Sequence, residues 1–307
     1  MAIATVTTTI NGVEHSLTYN ETSGAWEATL TAPSKSSYNE NDGHYYNVSI
    51  QAVDDAGNSS TCDSTHSTLG TSCQLKVKEK VAPTITILSP ANGALLTNSS
   101  INVEFEVTDN DSGIDPYTLF MSMEGFSQQV PISQFNPTWT QIDGGYNMKI
   151  NNLELQVQGE LSLSIHVSDN DGNVATPATT TFTLDTIPPT LNVSSPADGL
   201  VTNQTNGQIV GTTNDDTSSP VTVTITVNGS DVGTVTVGSD GAFSKAVTYA
   251  EGVNTIVVTA TDSAGKSTTI TRTITINTVA PKFKTVELVP NPVDCGATYI
   301  IKVTFDE

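Results

Sequence analysis

Basic residues are scarce in this sequence of 307 residues. Eleven lysines and arginines stand against 32 aspartates and glutamates, which gives a formal net charge of −21. Proteins that bind nucleic acid or an anionic membrane surface need clustered basic side chains to neutralise phosphates. The composition therefore argues against both kinds of partner. No apolar run reaches the ~18 residues of a membrane-spanning helix, which excludes membrane insertion.

Aromatic residues, helical patterns and catalytic motifs are also lacking. Aromatics make up 6 % of the residues, and no long segment repeats its apolar positions with the period of a helix. Gly, Pro, Asn, Asp and Ser interrupt the chain every 8 to 12 residues or so, as in proteins made of short strands. No nucleophile elbow, phosphate loop or zinc motif is present. We expect several small all-β cores and no enzymatic activity.

The chain has three cysteines, so they cannot all pair within one molecule. Cys62 and Cys73 flank a polar loop, and Cys295 lies near the end of the sequence. The first two either close a disulfide across the loop or stay as free thiols. The redox environment of the protein is therefore left open by its cysteines.

A proline-containing segment recurs along the chain and sets a period. Its three copies are Val81-Ala82-Pro83, Ile187-Pro188-Pro189 and Val279-Ala280-Pro281, which begin 106 and 92 residues apart. A turn with the pattern Asp-x-x-Gly precedes each copy, starting at Asp54, Asp169 and Asp262. Alternating β-branched residues flank each turn, which predicts a hairpin. Units of about 100 residues with around seven strands are typical of an immunoglobulin-like sandwich.

At these positions the chain resembles the bacterial and phage Ig-like repeat family. Units of that family often begin with [Asp/Asn]-Thr-x-x-Pro and end in a hairpin that carries Asp-x-x-Gly-Asn. Asp185-Thr186-Ile187-Pro188-Pro189 and Asn277-Thr278-Val279-Ala280-Pro281 fit the first pattern, whereas Glu79-Lys80 departs from it. The resemblance implies tandem Ig-like β-sandwiches, and it implies little about function because such repeats serve as spacers, adhesive tips and virion decorations.

The third repeat supplies a complete set of predicted strands. They cover residues 190–194, 208–213, 221–227, 232–237, 242–248, 255–261 and 268–276. Thr5–Gly12 matches Thr222–Gly229 in sequence, and Trp26 then aligns with Phe243. The predicted domains are therefore 1–80, an incomplete sandwich without strands A and B; 81–186 and 187–278, two whole sandwiches; and 279–307, which holds only an A strand (284–289) and a B strand (298–305).

The two incomplete pieces complement each other. We expect the C-terminal A and B strands of one copy to complete the N-terminal sandwich of the next copy, by donor-strand complementation. A head-to-tail contact that does not close gives a filament. The predicted interface residues are Phe283, Val286, Leu288, Tyr299, Ile301, Val303, Phe305, Val6, Ile10 and Trp26. Two alternatives remain open: the sequence is a piece of a longer protein, or a different protein completes the sandwich.

Acidic residues gather in two loops that an Ig-like sandwich places at one pole. Asp109, Asp111 and Asp115 lie in the B–C loop, and Asp169 and Asp171 lie in the F–G loop. Carboxylate and carbonyl oxygens suit Ca²⁺, so a calcium site is one interpretation. The other is that these residues simply form tight turns. Any calcium bound there would stiffen the junction between the first and second domains. No other cofactor is expected.

The expected function is that of a filament-forming phage virion fibre or decoration, located on a virion or an extracellular surface. The first residues contain no secretory signal, which favours a phage protein released by lysis. The alternative is a bacterial adhesin or pilus-like segment with spacer or glycan-binding domains. A stretch with Phe120, Phe126, Phe135 and Trp139 is either an aromatic platform for a host-surface glycan or part of a larger core. A host-surface protein is the other possible external partner.

Overall fold

The computed structural model describes residues 2–124 and 128–306. The chain divides into two compact units, residues 1–184 and 185–307, each described here by itself. The described helices are two four-residue 3₁₀ turns, Gly70–Cys73 and Ile132–Phe135. Neither has the length or hydrophobicity needed to cross a bilayer. The remaining regular structure is β-strand, which confirms the all-β prediction.

The chain begins with a single sheet. Its strands are β1 (Ile3–Ile10), β2 (Val13–Asn20), β3 (Ala25–Glu27), β4 (Tyr46–Asp54), β5 (Ser59–Cys62) and β6 (Gln74–Leu75). The order is β3-β2-β1-β4-β5, and β6 pairs with β4. Among the described residues before 81, the buried hydrophobic side chains are Val6, Tyr46 and Cys73. In the described chain this sheet therefore has little core and no second sheet packed on it.

A two-sheet sandwich follows within the same unit. Its strands are β7 (Thr84–Ser89), β8 (Ala94–Leu96), β9 (Ser100–Thr108), β10 (Ile114–Met123), β11 (Val130–Pro131), β12 (Thr138–Ile142), β13 (Gly145–Glu154), β14 (Gly159–Asp169) and β15 (Ala178–Leu184). The sheet orders are β11-β10-β14-β15-β8 and β12-β13-β9-β7. Alternate residues of the long strands, such as Val103, Phe105 and Val107, point into one core between the sheets.

The second unit contains another sandwich. Its strands are β16 (Thr190–Ser195), β17 (Leu200–Thr202), β18 (Asn206–Asn214), β19 (Thr222–Val227), β20 (Ser230–Asp231), β21 (Ala242–Thr248), β22 (Gly252–Thr261) and β23 (Ser267–Ile276). The sheet orders are β16-β18-β21 and β17-β23-β22-β19-β20. Ile209, Ile225, Ile256 and Val258 are fully buried in its core.

A two-stranded hairpin completes the described chain. It pairs β24 (Lys282–Val289) with β25 (Ile300–Asp306) in an antiparallel ladder. Every residue of both strands is exposed. Isolated two-stranded ribbons are marginal in water, so this element needs a surface to pack against.

The structure corrects the predicted strands of the third repeat in two places. The predicted strand 232–237 is wrong, because β20 ends at Asp231. That side chain accepts a hydrogen bond from the Gly233 N–H at 2.8 Å, and Gly233 adopts a positive φ of 81°, so the chain turns away from the ladder. The short strand β17 was not predicted. It is three residues long and pairs in parallel with β23, which is too short for a periodic signal.

Candidate functional site

The hairpin β24–β25 carries one apolar face. Cross-strand pairing sets Phe283 opposite Phe305, Val286 opposite Val303, and Leu288 opposite Ile301. These six residues all lie on the same side of the ribbon, which we call the apolar face. Their exposed fractions are 71 % for Phe283, 61 % for Val286, 42 % for Leu288, 58 % for Ile301, 39 % for Val303 and 47 % for Phe305. Tyr299 precedes β25 and is also exposed.

The opposite face of the hairpin is mostly polar and carries one apolar pair, Val289–Ile300, at the end of the ladder. Glu287 pairs with Lys302, and the hydroxyls of Thr285 and Thr304 lie 2.6 Å apart. One apolar and one polar face is the pattern of a ribbon made to lie on a core with its back to water.

The β7–β9 pair of the first sandwich has the same alternation of side chains, and there the apolar side is buried. Ile87 pairs with Phe105 there as Val286 pairs with Val303 in the hairpin. Val103, Phe105 and Val107 have no exposed surface. Ile301, Val303 and Phe305 follow the same alternation in β25. The hairpin therefore shares the side-chain alternation of the β7–β9 pair, and its apolar face is exposed.

The predicted receiving residues lie in the first sheet. Val6 is buried, whereas Ile10 and Trp26 are partly exposed. Strand β3 places Trp26 opposite Tyr19 on β2. In the second unit, the residue that aligns with Trp26, Phe243, instead pairs with β18 and is buried. Within the described chain, β3 has no partner equivalent to β18.

Carboxylates converge in the first unit at the predicted pole of the sandwich. Oxygens of Glu79, Asp109 and Asp169 lie within 4.8 Å of one another. Glu79 accepts a hydrogen bond from the Ser112 N–H at 2.6 Å. Burial raises the pKa of Glu79, and the negative charges of Asp109 and Asp111 raise it further. We call these three residues the first carboxylate cluster.

Three predicted calcium ligands lie outside this cluster and accept hydrogen bonds of their own. Asp111 accepts the Ser36 N–H at 3.0 Å, and Asp171 accepts the Glu79 N–H at 2.9 Å. Asp115 caps a turn by accepting the Tyr117 N–H at 3.0 Å. Asp111 and Asp171 thus attach the segments around residues 36 and 79 to the loops of the sandwich.

A second carboxylate cluster lies in the second unit. It consists of Asp185, Asp215 and Asp262, whose oxygens also lie within 4.8 Å of one another. Asp185 stands four residues before Pro189, just as Glu79 stands four residues before Pro83. Asp215 and Asp109 each follow a strand, β18 and β9. Asp262 and Asp169 each begin an Asp-x-x-Gly turn.

The sequence-based prediction named Asp109 and Asp169 of the first cluster, and it named neither Glu79 nor any residue of the second cluster. The missing signal was the acid four residues before the linker proline. The carboxylates of each cluster are far apart in sequence. They come together only in the folded domain, where the B–C loop and the Asp-x-x-Gly turn lie next to the linker.

The first two cysteines lie together. The Cys62 and Cys73 sulfurs are 3.5 Å apart, both are free thiols, and Cys73 is buried. Cys295 is exposed.

The described aromatic residues of this stretch differ in burial. Phe120 and Phe135 are partly buried, and Trp139 packs edge-on against Tyr146 with ring centroids 5.4 Å apart. Phe126 lies outside the described residues.

Two protein-family models match the chain. Residues 83–150 match the family described as bacterial Ig domain, and residues 189–278 match domain B of glucodextranase. Among curated relatives, a PII-type proteinase of Lactococcus lactis subsp. cremoris is 32 % identical over 167 residues, which is 48 % of this chain and 9 % of that protein. A PII-type proteinase of Lacticaseibacillus paracasei is 31 % identical over 191 residues, 53 % of this chain and 10 % of that protein. The chain thus spans about a tenth of the length of these relatives.

The solved structures that the chain matches have low sequence identity. The Clostridium thermocellum CbhA fibronectin(III)-like modules are 17 % identical, with a TM-score of 0.31, covering 63 % of this chain and 94 % of that one. Sidekick-1 immunoglobulin domains 1–5 are 14 % identical, with a TM-score of 0.37, covering 99 % of this chain and 60 % of that one.

The two family matches fall on the two described sandwiches, one in each compact unit. The Ig-like architecture of these domains indicates non-catalytic modules. These matches support a bacterial Ig-like repeat family, with Ig-like domains in tandem.

Proposed function

We propose that this chain is a structural protein that assembles head to tail into extracellular fibres, with the β24–β25 hairpin of one copy packed on the first sheet of the next. The single observation that carries the proposal is the open apolar face of the hairpin. Equivalent positions of β9 are fully buried. Burial of apolar surface contributes roughly 25 cal/mol per Å² of favourable free energy, so packing the exposed A–B pair against a core would be strongly stabilising.

The first sheet offers the complementary defect. Its described residues bury few hydrophobic side chains, and β3 has no partner of the β18 kind. An added hairpin would supply that strand and place its apolar face against the side of β1 that carries Val6 and Ile10. This is strand addition, in which backbone hydrogen bonds give affinity and alternate side chains give specificity.

The net charge of the hairpin also supports a second copy of this chain as its partner. Lys282, Lys284 and Lys302 are three of the 11 basic residues of the chain. They balance Glu287, Asp294 and Asp306, so residues 282–306 carry 3 − 3 = 0 net charge in a chain of net charge −21. A neutral hairpin approaches an acidic copy of the same chain without the repulsion that two acidic surfaces would feel.

The donor and acceptor are different surfaces of the molecule. Such a heterologous contact generates an open fibre or a ring, according to whether the rotation closes. Stiff linkers with Pro83, Pro188, Pro189 and Pro281 disfavour a chain folded back on itself, so we favour the open fibre. A virion fibre and a bacterial surface fibre are both consistent with this assembly.

The test is the mass and shape of the full chain beside a version without residues 279–307, both under reducing conditions to exclude disulfides through Cys295. Light scattering and negative-stain microscopy should show beaded polymers for the full chain and monomers for the shortened one. Monomers in both samples at every concentration would overturn the proposal.

One observation favours a second function. The chain matches only about a tenth of much longer bacterial proteins. In that case the domains are spacers or glycan-binding tips of a longer surface adhesin, and flanking residues of the same polypeptide cover the first sheet. The full chain would then stay monomeric, and binding on a glycan array would separate a tip from a spacer.

A further inference from the structure

We infer that the second carboxylate cluster is a binding site for a hard divalent cation, Ca²⁺. The site is made by Asp185, Asp215 and Asp262 of the second unit. It does not depend on the proposed head-to-tail assembly, because all three residues belong to one sandwich of one copy.

The cluster concentrates negative charge where water is scarce. Asp185 has no exposed surface and Asp262 is 6 % exposed. Carboxylate oxygens held this close repel one another, and a bound cation relieves that repulsion. Oxygen ligands from several carboxylates are what Ca²⁺ selects, since it takes six to eight of them in flexible geometry.

One buried oxygen of the cluster has no hydrogen-bond partner among the described residues. The Asp262 Oδ1 atom accepts a hydrogen bond from the Lys266 N–H at 2.8 Å. The Asp262 Oδ2 atom is buried and accepts no hydrogen bond within the part of the chain that the structure describes. A buried carboxylate oxygen is normally satisfied, so an orphaned one in a cluster of acids points to a ligand.

In the first cluster, Asp169 occupies the position of Asp262, and both of its carboxylate oxygens accept hydrogen bonds. Asn173 donates from its backbone to Asp169 Oδ1 at 2.8 Å and from its side chain to Asp169 Oδ2 at 2.6 Å. Lys266 stands in place of Asn173 in the second unit, so the amide that would satisfy Asp262 Oδ2 is missing there. The second cluster is therefore the better cation site of the two.

Neighbouring groups hold the other two carboxylates in place. Asp215 Oδ1 accepts the backbone N–H groups of Thr217 at 2.8 Å and Ser218 at 2.7 Å. Asp185 accepts the Ile187 N–H at 3.0 Å and the Ser218 hydroxyl. These contacts pre-orient the site and leave further lone pairs for a cation. Bound Ca²⁺ would tie the segment before β16 to the end of β18 and to the β22–β23 turn.

The experiment is calorimetric titration of Ca²⁺ into the full chain after treatment with a chelator, combined with thermal melts. The wild type should bind saturably, with a dissociation constant of roughly 10⁻⁴–10⁻³ M, the range of extracellular calcium modules. Asp262→Asn should bind one ion fewer, because it keeps the acceptor for Lys266 and replaces the free oxygen with an amide. Asp216→Asn, an exposed acid of the same loop outside the cluster, is the matched control and should bind like the wild type.

Thermal melts distinguish a variant that has lost the Ca²⁺ site from one that has lost its fold. Without Ca²⁺, Asp262→Asn should melt no lower than the wild type, because it removes a buried negative charge, yet Ca²⁺ should raise its melting temperature less. Asp185→Asn provides a second variant with the same expectation. The inference is overturned if the wild type takes up no Ca²⁺, or if Asp262→Asn and Asp185→Asn bind as many ions as the wild type.

Discussion

Phe283 and Phe305 face each other across the β24–β25 hairpin with ring centroids 5.0 Å apart, and they are 71 % and 47 % exposed. Aromatic side chains usually contribute large buried areas to a core or an interface. This pair begins a row that continues through Val286–Val303 and Leu288–Ile301. The row defines the surface on which the proposed assembly depends.

Substitutions on the two faces of β25 should therefore have opposite outcomes. Val303→Asp would bring a carboxylate into the packed interface, and we expect assembly to weaken at least ~100-fold, or about 2.7 kcal/mol. Thr304→Asp places the same charge on the polar face and should still polymerise. Sedimentation velocity across a concentration series measures both. Equal assembly by the two variants would show that the apolar face is not the contact.

The equivalence of β25 and β9 predicts unequal effects on folding. Phe105→Ala removes a fully buried ring and should lower the free energy of unfolding of its domain by about 3–5 kcal/mol. Val303→Ala should change the free energy of unfolding of the monomer by less than ~0.5 kcal/mol, because its side chain is exposed there. Urea titration followed through Trp139 fluorescence, in a Trp26→Phe background, measures the effect of Phe105→Ala. The same titration followed by circular dichroism measures the effect of Val303→Ala. A large loss of unfolding free energy in Val303→Ala would mean that the hairpin is already packed in the monomer.

Glu79 should give the first unit a distinct pH dependence when Ca²⁺ is absent. Burial raises the pKa of Glu79 above 4.5, so the folded state holds its proton more tightly than the unfolded chain does. Its contribution to stability is full below the unfolded pKa and is lost as the pH rises through the folded pKa.

Glu79→Gln removes this titration. Between about pH 4 and about pH 7, the variant should therefore lose less stability than the wild type. Glu160→Gln, an exposed glutamate on β14, should follow the wild type. Denaturant midpoints measured in chelator at a series of pH values check this, and parallel curves for all three proteins would contradict it.

The thiols should differ in reactivity. Burial raises the pKa of Cys73, and the neighbouring Cys62 raises it further, so little thiolate forms at neutral pH. Ellman's reagent should modify the exposed Cys295 quickly and Cys73 slowly. Cys295→Ser should remove the fast phase and leave the slow one. Rapid modification of both remaining thiols in that variant would show that the loop between Cys62 and Cys73 is open.

The sequence was most informative where a pattern is local. Alternation along each strand and the recurring prolines predicted the sandwiches, and the alternation of Ile301, Val303 and Phe305 predicted one face of the hairpin. Cross-strand register then confirmed that Phe283, Val286 and Leu288 share that face.

Features formed by distant segments were harder to predict. Asp185 and Asp262 are separated by a whole domain, and each alone resembles an ordinary turn or linker residue. Asp111 and Asp171 are predicted as metal ligands from their loops, and the structure adds that they accept hydrogen bonds from the backbone N–H groups of residues 36 and 79. Composition and spacing do not reveal which of two neighbouring acids turns inward, because that depends on hydrogen bonds to another element.

Head-to-tail assembly is tested most directly by a chain terminator. A copy that ends at residue 278 keeps the accepting sheet but has no hairpin to donate, so it can cap one end of a fibre and cannot extend it. Light scattering should show that the mean mass of wild-type fibres falls steadily as the proportion of this copy rises, while an equal addition of Thr304→Asp leaves it unchanged. A mean mass that does not respond to the shortened copy would contradict strand donation between copies.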